Sequence, residues 1–333
     1  MKQAMILNVT DATLQQAASA LKQGELVAFP TETVYGLGAI VSNTDAIERV
    51  FEAKGRSRTN PVNLTVASKE MAQAYVHPLD EKTEQLMAAF WPGPLTLVLK
   101  RRMDRVPNIV TAGQDTVALR MPKQSDTLRL IEYVGEPIVG PSANTSGRPS
   151  PTLATHVAHD LGEQVTYILD GGQSALGIES TIIDLSSDRP VILRVGEITR
   201  EAIESVIGPI EVNQAQAPAS QRPHYQPDTP VYRLKGTAED IVQQLHKCSN
   251  RQIALALPEE LFNVLENSGQ IDARLYNMGA TVKTYKQQLY NILRQVDEES
   301  FDAIILYEVE ETAESSSLVQ RIRLISESFL NLP

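Results

Sequence analysis

The 333 residues, 42% of them hydrophobic and 21% charged, can bury more than one core and predict two domains, and the formal net charge of −11 argues against a broad basic face for nucleic acid. Both parts are acidic, with 20 Lys and Arg against 26 Asp and Glu up to residue 230 and 10 against 15 beyond it, so neither predicts stable, direct nucleic-acid binding. The single cysteine, Cys248, excludes an internal disulfide framework and reads as a spectator thiol; Met1 to Asp11 lacks a signal peptide's layout and no apolar run nears the roughly 20 residues of a membrane span, so a cytoplasmic protein is expected.

Thr10 to Gly24 reads as a capped helix, with Leu14, Ala17, Ala18 and Leu21 at helical spacing and Gly24 as its stop. Glu25 to Phe29 is a short buried strand, followed by a polar, hydroxyl- and glycine-rich turn from Pro30 to Gly38. A helix from Asn43 to Lys54 leads into a basic loop, Lys54 to Pro61, and a strand, Val62 to Val66. Next come a helix over 81–90, the corner Trp91-Pro-Gly-Pro94, strands over 95–99 and 116–121, and a helix over 125–134. The apolar Ile138-Val139 opens a stretch to Thr152 made almost entirely of hydroxyls, an amide, small residues and prolines. That composition suits either a rigid connector or a loop that binds a polar ligand. A helix over 153–161 and strands over 167–170, 179–185 and 191–194 complete this part, with Gly171-Gly172 as a turn. Helices and strands interleave irregularly, which predicts an α/β sheet that is not purely parallel.

Asn213 to Asp228 is rich in Gln, Ala and Pro and reads as a linker; the expected division is residues 1–210, a linker over 211–230, and a second domain over 231–333. The second domain alternates helix 238–246, strand 253–257, helix 284–295, strand 303–306 and a helix from Leu318, the pattern of a small Rossmann-like α/β domain. It lacks a G-x-G-x-x-G turn, and no Walker loop occurs anywhere, so any nucleotide site is built differently.

The polar clusters each follow or interrupt a strand, where open α/β folds gather ligands. Thr31–Thr33, Lys54–Asn60, Ser142–Thr152, Glu179–Thr181 and Arg194 supply cations, hydroxyls and an amide, without a cysteine nucleophile or a histidine cluster. Such a set suits phosphate and carboxylate, and a reaction run by positioning and charge neutralisation. Simpler roles are open too: Lys54 and Arg56 as a solvated helix end, Trp91-Pro-Gly-Pro94 as a packing corner, the histidines as surface or core. Arg120 is harder to dismiss, because an arginine within an apolar strand needs a partner. Glu32 alone is weak support for a metal.

Several long motifs, in order and spacing, resemble the YrdC-like domain family over about residues 5–210. They are Phe29-Pro-Thr-Glu-Thr-Val-Tyr-Gly-Leu-Gly38, Lys54-Gly-Arg56 with Asn60-Pro61, Trp91-Pro-Gly-Pro-Leu-Thr96, Val117-Ala-Leu-Arg-Met-Pro122, Pro141-Ser-Ala-Asn144 with Ser146-Gly147, Glu179-Ser-Thr181 and Leu193-Arg-Val-Gly196. With the His224-Tyr225-x-Pro227 linker and the second domain, the chain resembles the long, two-domain members, the L-threonylcarbamoyladenylate synthases.

The resemblance implies a mixed, twisted sheet in the YrdC-like catalytic domain and a smaller Rossmann-like C-terminal domain. It implies a nucleotidyltransferase that makes threonylcarbamoyl-AMP from L-threonine, bicarbonate and ATP with release of pyrophosphate, for modification of tRNA by a downstream threonylcarbamoyl-transfer complex. Mg²⁺ is implied with ATP, held mainly by the phosphates and by no protein side chain. The family's catalytic tetrad falls on Lys54, Arg56, Ser142 and Asn144. ATP contacts fall on Arg56, Asn60, Thr116, Asn144, Thr152, Arg194 and Tyr225. Those to L-threonine fall on Thr33, Arg120, Ser142 and Ser180, and on Thr65, where many members carry histidine. Late in the second domain, Ser316-Ser317-Leu318 replaces the family's Gly-Leu-Gly. Two other readings stand beside this one. An RNA-binding or ribosome-maturation protein using the concave face is disfavoured by the acidic balance. A carbamoyl-transfer hydrogenase maturation factor, which carries zinc-finger cysteines, is excluded by the lone Cys248.

Overall fold

The computed structural model describes residues 3–213, 225–246, 251–269 and 271–329. His224, Cys248 and much of the expected linker over 211–230 lie outside them. The chain forms two compact units, the first running to Ser146 and resuming at Ser150, the second taking Gly147–Pro149 and the residues from Tyr225 on.

The first unit contains, in order, β1 (Met5–Asn8), α1 (Asp11–Lys22), β2 (Val27–Phe29), β3 (Gly36–Ile40), α2 (Thr44–Lys54), β4 (Leu64–Thr65), α3 (Lys69–Gln73), α4 (Glu81–Phe90) and β5 (Leu95–Lys100). It continues with α5 (Asn108–Thr111), β6 (Thr116–Arg120), α6 (Ser125–Val134), β7 (Ile138–Val139), α7 (Ala154–Leu161), β8 (Tyr167–Asp170), β9 (Thr181–Asp184), β10 (Val191–Arg194), α8 (Arg200–Ile207) and β11 (Glu211–Val212). The strands form one mixed sheet in the order β1-β8-β2-β3-β7-β4-β6-β5-β9-β10-β11.

Local chemistry explains the helices that matter. Thr10 caps α1 in a reciprocal box with Thr13, and Leu14, Ala17, Ala18 and Leu21 face the core as their spacing predicts. Each such leucine contributes roughly 1.5–3 kcal/mol of burial. Asn43 accepts from the Ala46 N–H to start α2, and Gly55, at φ 58, stops it one residue after Lys54. The left-handed cap costs glycine little and turns the chain sharply, so Lys54 ends a helix while Arg56 opens a loop.

The expected turn over Pro30–Gly38 is corrected: it is a turn only as far as Tyr35, and Gly36–Ile40 is β3, paired antiparallel with β2 and β7. Glu179 and Ser180 precede β9 rather than lying in it, and β4 is shorter than the expected 62–66.

The second unit holds β12 (Val231–Leu234), α9 (Ala238–His246), β13 (Ile253–Leu257), α10 (Glu259–Ser268), β14 (Arg274–Asn277), α11 (Val282–Asp297), β15 (Ala303–Tyr307) and α12 (Ser316–Ile325). Its four strands are all parallel, in the order β12-β15-β13-β14. Every residue of β13 is buried, as in a parallel sheet covered on both faces. Within this unit Arg148 pairs with Asp228 and, at 2.8 Å, with Asp297, and the Arg294 guanidinium donates to the Pro149 carbonyl. Asp297 also accepts from the N–H groups of Asp228 and Thr229. Glu308, directly after β15, is buried among Arg233, Lys235 and Arg323, each within 3.1 Å. These pairings more than offset desolvation and hold its carboxyl below the usual range.

Candidate active site

Three polar groupings surround the central strands of the first unit. The first is built on Arg120, the last residue of β6, which pairs with Thr65 of β4. Its guanidinium donates to Thr33 Oγ1 at 2.7 Å and to the Gly93 carbonyl at 3.3 Å, and lies 2.8 Å from Glu32 Oε1. Thr33 is presented by the β2–β3 turn, where Thr31 Oγ1 donates to the Val34 carbonyl and lies 2.9 Å from Thr33 Oγ1. The turn is anchored from outside by the Leu176 N–H on the Glu32 carbonyl.

The second grouping joins α2 to the loop after β7. Lys54 is buried, and its Nζ donates to the main-chain carbonyls of Ser142 and Asn144. The Ser146 N–H returns to the Lys54 carbonyl at 2.8 Å. Ser142 also bridges to Gly36, and Tyr35 exchanges backbone bonds with Ala143 and Pro151, so the loop folds back over β3. Tyr35 fixes the neighbouring turn: its hydroxyl donates to the Gly172 carbonyl and accepts from the Gly171 N–H. Burial, then the nearby Asp170 charge, push that phenol above its ordinary range, so it stays protonated.

The third grouping centres on Ser180, buried just before β9. Its Oγ lies 2.7 Å from Thr96 Oγ1 and accepts from Arg194, whose Nε also donates to the Ser180 carbonyl. Gly93 and Pro94 run between this grouping and the first: Gly93 accepts from Arg120, and Pro94 accepts from the Thr181 N–H.

The remaining expected residues are placed as follows. Arg56 closes its own loop, donating to the carbonyls of Asn60 and Pro61. Thr152 is fully buried, and its N–H donates to His156 Nδ1 at 3.2 Å. Thr116 starts β6, opposite Lys100, on the same face as Arg120 but about 13 Å along the strand. Tyr225 belongs to the second unit: at φ 63 it stacks on Tyr290, with ring centroids 5.5 Å apart, and Arg321 lies 5.1 Å over its ring.

Residues that sequence reasoning left without a role complete these groupings. Glu179 is buried and accepts from Ser150 Oγ at 2.6 Å, a pairing its place in Glu179-Ser-Thr181 hinted at. His156 carried no local signal, Thr96 closed a motif without a role of its own, and Arg120 called for a partner that nothing local identified as Glu32. Among the described residues, no three His, Cys, Asp or Glu side chains converge to hold a metal ion. No helix among them is long and apolar enough to cross a membrane. Two surface cavities, of about 650 and 410 Å³, lie elsewhere, around His77 and Pro78, and share no residue with the three groupings.

The profile of the Sua5, YciO and YrdC family, described as telomere recombination, matches residues 19–196, and that of the threonylcarbamoyl-AMP synthase C-terminal domain matches residues 198–323. A threonylcarbamoyl-AMP synthase of Bacillus subtilis is 40% identical over 95% of this chain and 93% of its own. The chain belongs to the threonylcarbamoyl-AMP synthase family, in its two-domain form. A synthase from Pyrococcus abyssi is 39% identical over 97% of both chains. The crystal structure of P. abyssi Sua5 complexed with L-threonine matches this fold with a TM-score of 0.90 at 37% identity, covering 98% of this chain and 99% of that one. The chain is therefore an enzyme, and the RNA-binding or ribosome-maturation reading is not favoured.

Proposed function

We propose that this enzyme condenses L-threonine, bicarbonate and ATP to L-threonylcarbamoyl-AMP and pyrophosphate, for threonylcarbamoyladenosine formation in tRNA by a separate transfer complex, in the cytoplasm. The observation that carries the reading is the buried Arg120 beside Thr33, with Ser180 and Arg194 beyond Gly93 and Pro94, in a chain whose relatives over nearly full length bear this activity in their names.

In this reading Arg120, Thr33, Ser180, Ser142 and Thr65 take threonine, with Arg120 on its carboxylate. Arg56, Asn60, Thr116, Asn144, Thr152 and Arg194 take ATP. Lys54, Arg56, Ser142 and Asn144 surround the reacting groups. Threonine's amine and bicarbonate give N-carboxythreonine and water. The new carboxylate then attacks the α-phosphorus of ATP, its oxygen forming the acyl-phosphate bond as the bond to pyrophosphate breaks. No side chain forms a covalent intermediate. The chain's residues hold the two reactants together and face the charge that moves onto the leaving group. Mg²⁺ would come with ATP, held by its phosphates, and would neutralise charge there.

The experiment is a pyrophosphate-release assay with purified protein, L-threonine, bicarbonate and Mg·ATP. Release that depends on threonine and bicarbonate, with threonylcarbamoyl-AMP identified by mass, supports the reading. Release no greater than in a threonine-free control overturns it.

A further inference from the structure

We infer that Glu32 receives the α-ammonium group of the amino-acid substrate, beside the carboxylate taken by Arg120. This rests on the proposed function and assigns it a residue that fixes which class of molecule the pocket accepts.

The two side chains are 9% and 10% exposed, and Glu32 Oε1 lies 2.8 Å from an Arg120 terminal nitrogen. The contact is close but not aligned: neither Glu32 oxygen has a hydrogen-bond partner, and neither has that guanidinium nitrogen. A purely structural buried pair is expected as an aligned fork, because unsatisfied buried polar atoms are costly. The other two guanidinium nitrogens are committed, one to Thr33 Oγ1 and one to the Gly93 carbonyl. The main chain that carries Glu32 is held by the Leu176 N–H on its carbonyl and by the contact between its two flanking threonines. The pair is therefore built with one edge of each partner unsatisfied.

The chemistry of the two edges defines what fits. A carboxylate only accepts, so Glu32 needs a donor; a guanidinium only donates, so Arg120 needs an acceptor. The ligand must present a cation and an anion side by side, which an α-amino acid zwitterion does across a single carbon. A phosphate or triphosphate brings acceptors alone and would face Glu32 with like charge. A metal cation is disfavoured, since no metal-holding cluster of His, Cys, Asp or Glu occurs among the described residues.

The test is calorimetric titration of the full-length protein with L-threonine, with 3-hydroxybutanoate (threonine without its amine) and with ATP. A charged hydrogen bond of about 1.5–3 kcal/mol corresponds to roughly a 10- to 100-fold change in affinity. Wild-type protein is expected to prefer threonine by that factor. Glu32→Gln is expected to lose most of that preference, weakening threonine roughly 10-fold or more while leaving 3-hydroxybutanoate and ATP within about twofold. Equal losses for threonine and 3-hydroxybutanoate would mean that Glu32 acts only through Arg120, and would overturn the inference. If Glu32→Gln does not fold, the wild-type comparison decides: discrimination below about twofold overturns it. Binding of a different α-amino acid but not threonine removes the proposed substrate and leaves this inference standing. Binding of no α-amino acid overturns the inference itself.

Discussion

The Lys54 ammonium holds the main-chain carbonyls of both Ser142 and Asn144, fastening the end of α2 to the loop after β7. The bonds go to main chain, so Lys54 shapes the loop without occupying the Ser142 hydroxyl. Each bond to a charged group is worth about 1.5–3 kcal/mol, and the Ser142 carbonyl keeps a second donor, the Asn144 N–H, when the ammonium is removed. Lys54→Met keeps the aliphatic stem and removes the donor. It should lower unfolding stability by about 2–4 kcal/mol and cut pyrophosphate release more than about 100-fold. Stability by denaturant titration within about 0.5 kcal/mol of wild type would show that the loop holds itself.

Ser180 and Arg194 are expected to behave as a unit. By family resemblance the serine serves threonine and the arginine serves ATP, yet the Ser180 hydroxyl accepts from Arg194. Ser180→Ala should raise the threonine KM roughly 5- to 10-fold, the effect of about 1 kcal/mol. Arg194→Ala should act mainly on the ATP KM. Groups sharing a hydrogen bond couple by about 0.5–3 kcal/mol, so the double variant's loss in kcat/KM should fall short of the product of the single losses. Strictly multiplicative losses would separate the two residues.

Glu308 makes the second unit sensitive to acid. Its folded carboxyl titrates below the ordinary range, with burial opposing ionisation and the Arg323 and Lys235 bonds prevailing. A depressed folded value means that its contribution is complete above the unfolded value, about 4.3, and is lost as pH falls through the folded one. Glu308→Gln leaves three cations facing a neutral group and should lower stability at pH 7 by about 2 kcal/mol, less than the full cost of breaking a buried pair because Lys235 and Arg323 are half exposed. The deficit relative to wild type should shrink below pH 4. Thermal melts of both proteins across pH 3–7 check this; a constant difference would remove Glu308 as the titrating group.

Much of this architecture is legible from local signals. α1, α4, α6 and α9 carry their own caps or periodic apolar faces, so their positions follow from a few adjacent residues. β3 misleads because Gly36-Leu37-Gly38 reads as a turn, while its strand pairing depends on β2 and β7, distant in sequence. β1 is an exposed edge strand without an apolar pattern and gives no local signal. In the candidate site, the Lys54 ammonium meets the Ser142 and Asn144 carbonyls, while Arg56 bonds to the carbonyls of Asn60 and Pro61 in its own loop. Glu32 beside Arg120 could not be read, since the pairing exists only once the β2–β3 turn meets the end of β6. Arg148, which had no legible role, meets its partner Asp297 only at the end of α11.

Gly140 offers a test of how closely the site loop is packed. A methyl group there would sit 2.1 Å from Thr65 Oγ1 and 3.3 Å from the Phe29 ring, while the residue's N–H is held by the Asn63 carbonyl. The backbone cannot retreat without breaking that bond, so the Thr65 side chain must move, and Thr65 pairs in register with Arg120. Gly140→Ala should therefore cost about 1–3 kcal/mol, the usual range for overpacking, and raise the threonine KM. Thr65→Ala removes the colliding oxygen. The double variant should recover part of the loss, giving a favourable coupling of at least about 0.5 kcal/mol in a double-mutant cycle by denaturant titration. Additive losses would mean that the collision is relieved elsewhere, and that Thr65 does not set the space between β4 and the loop.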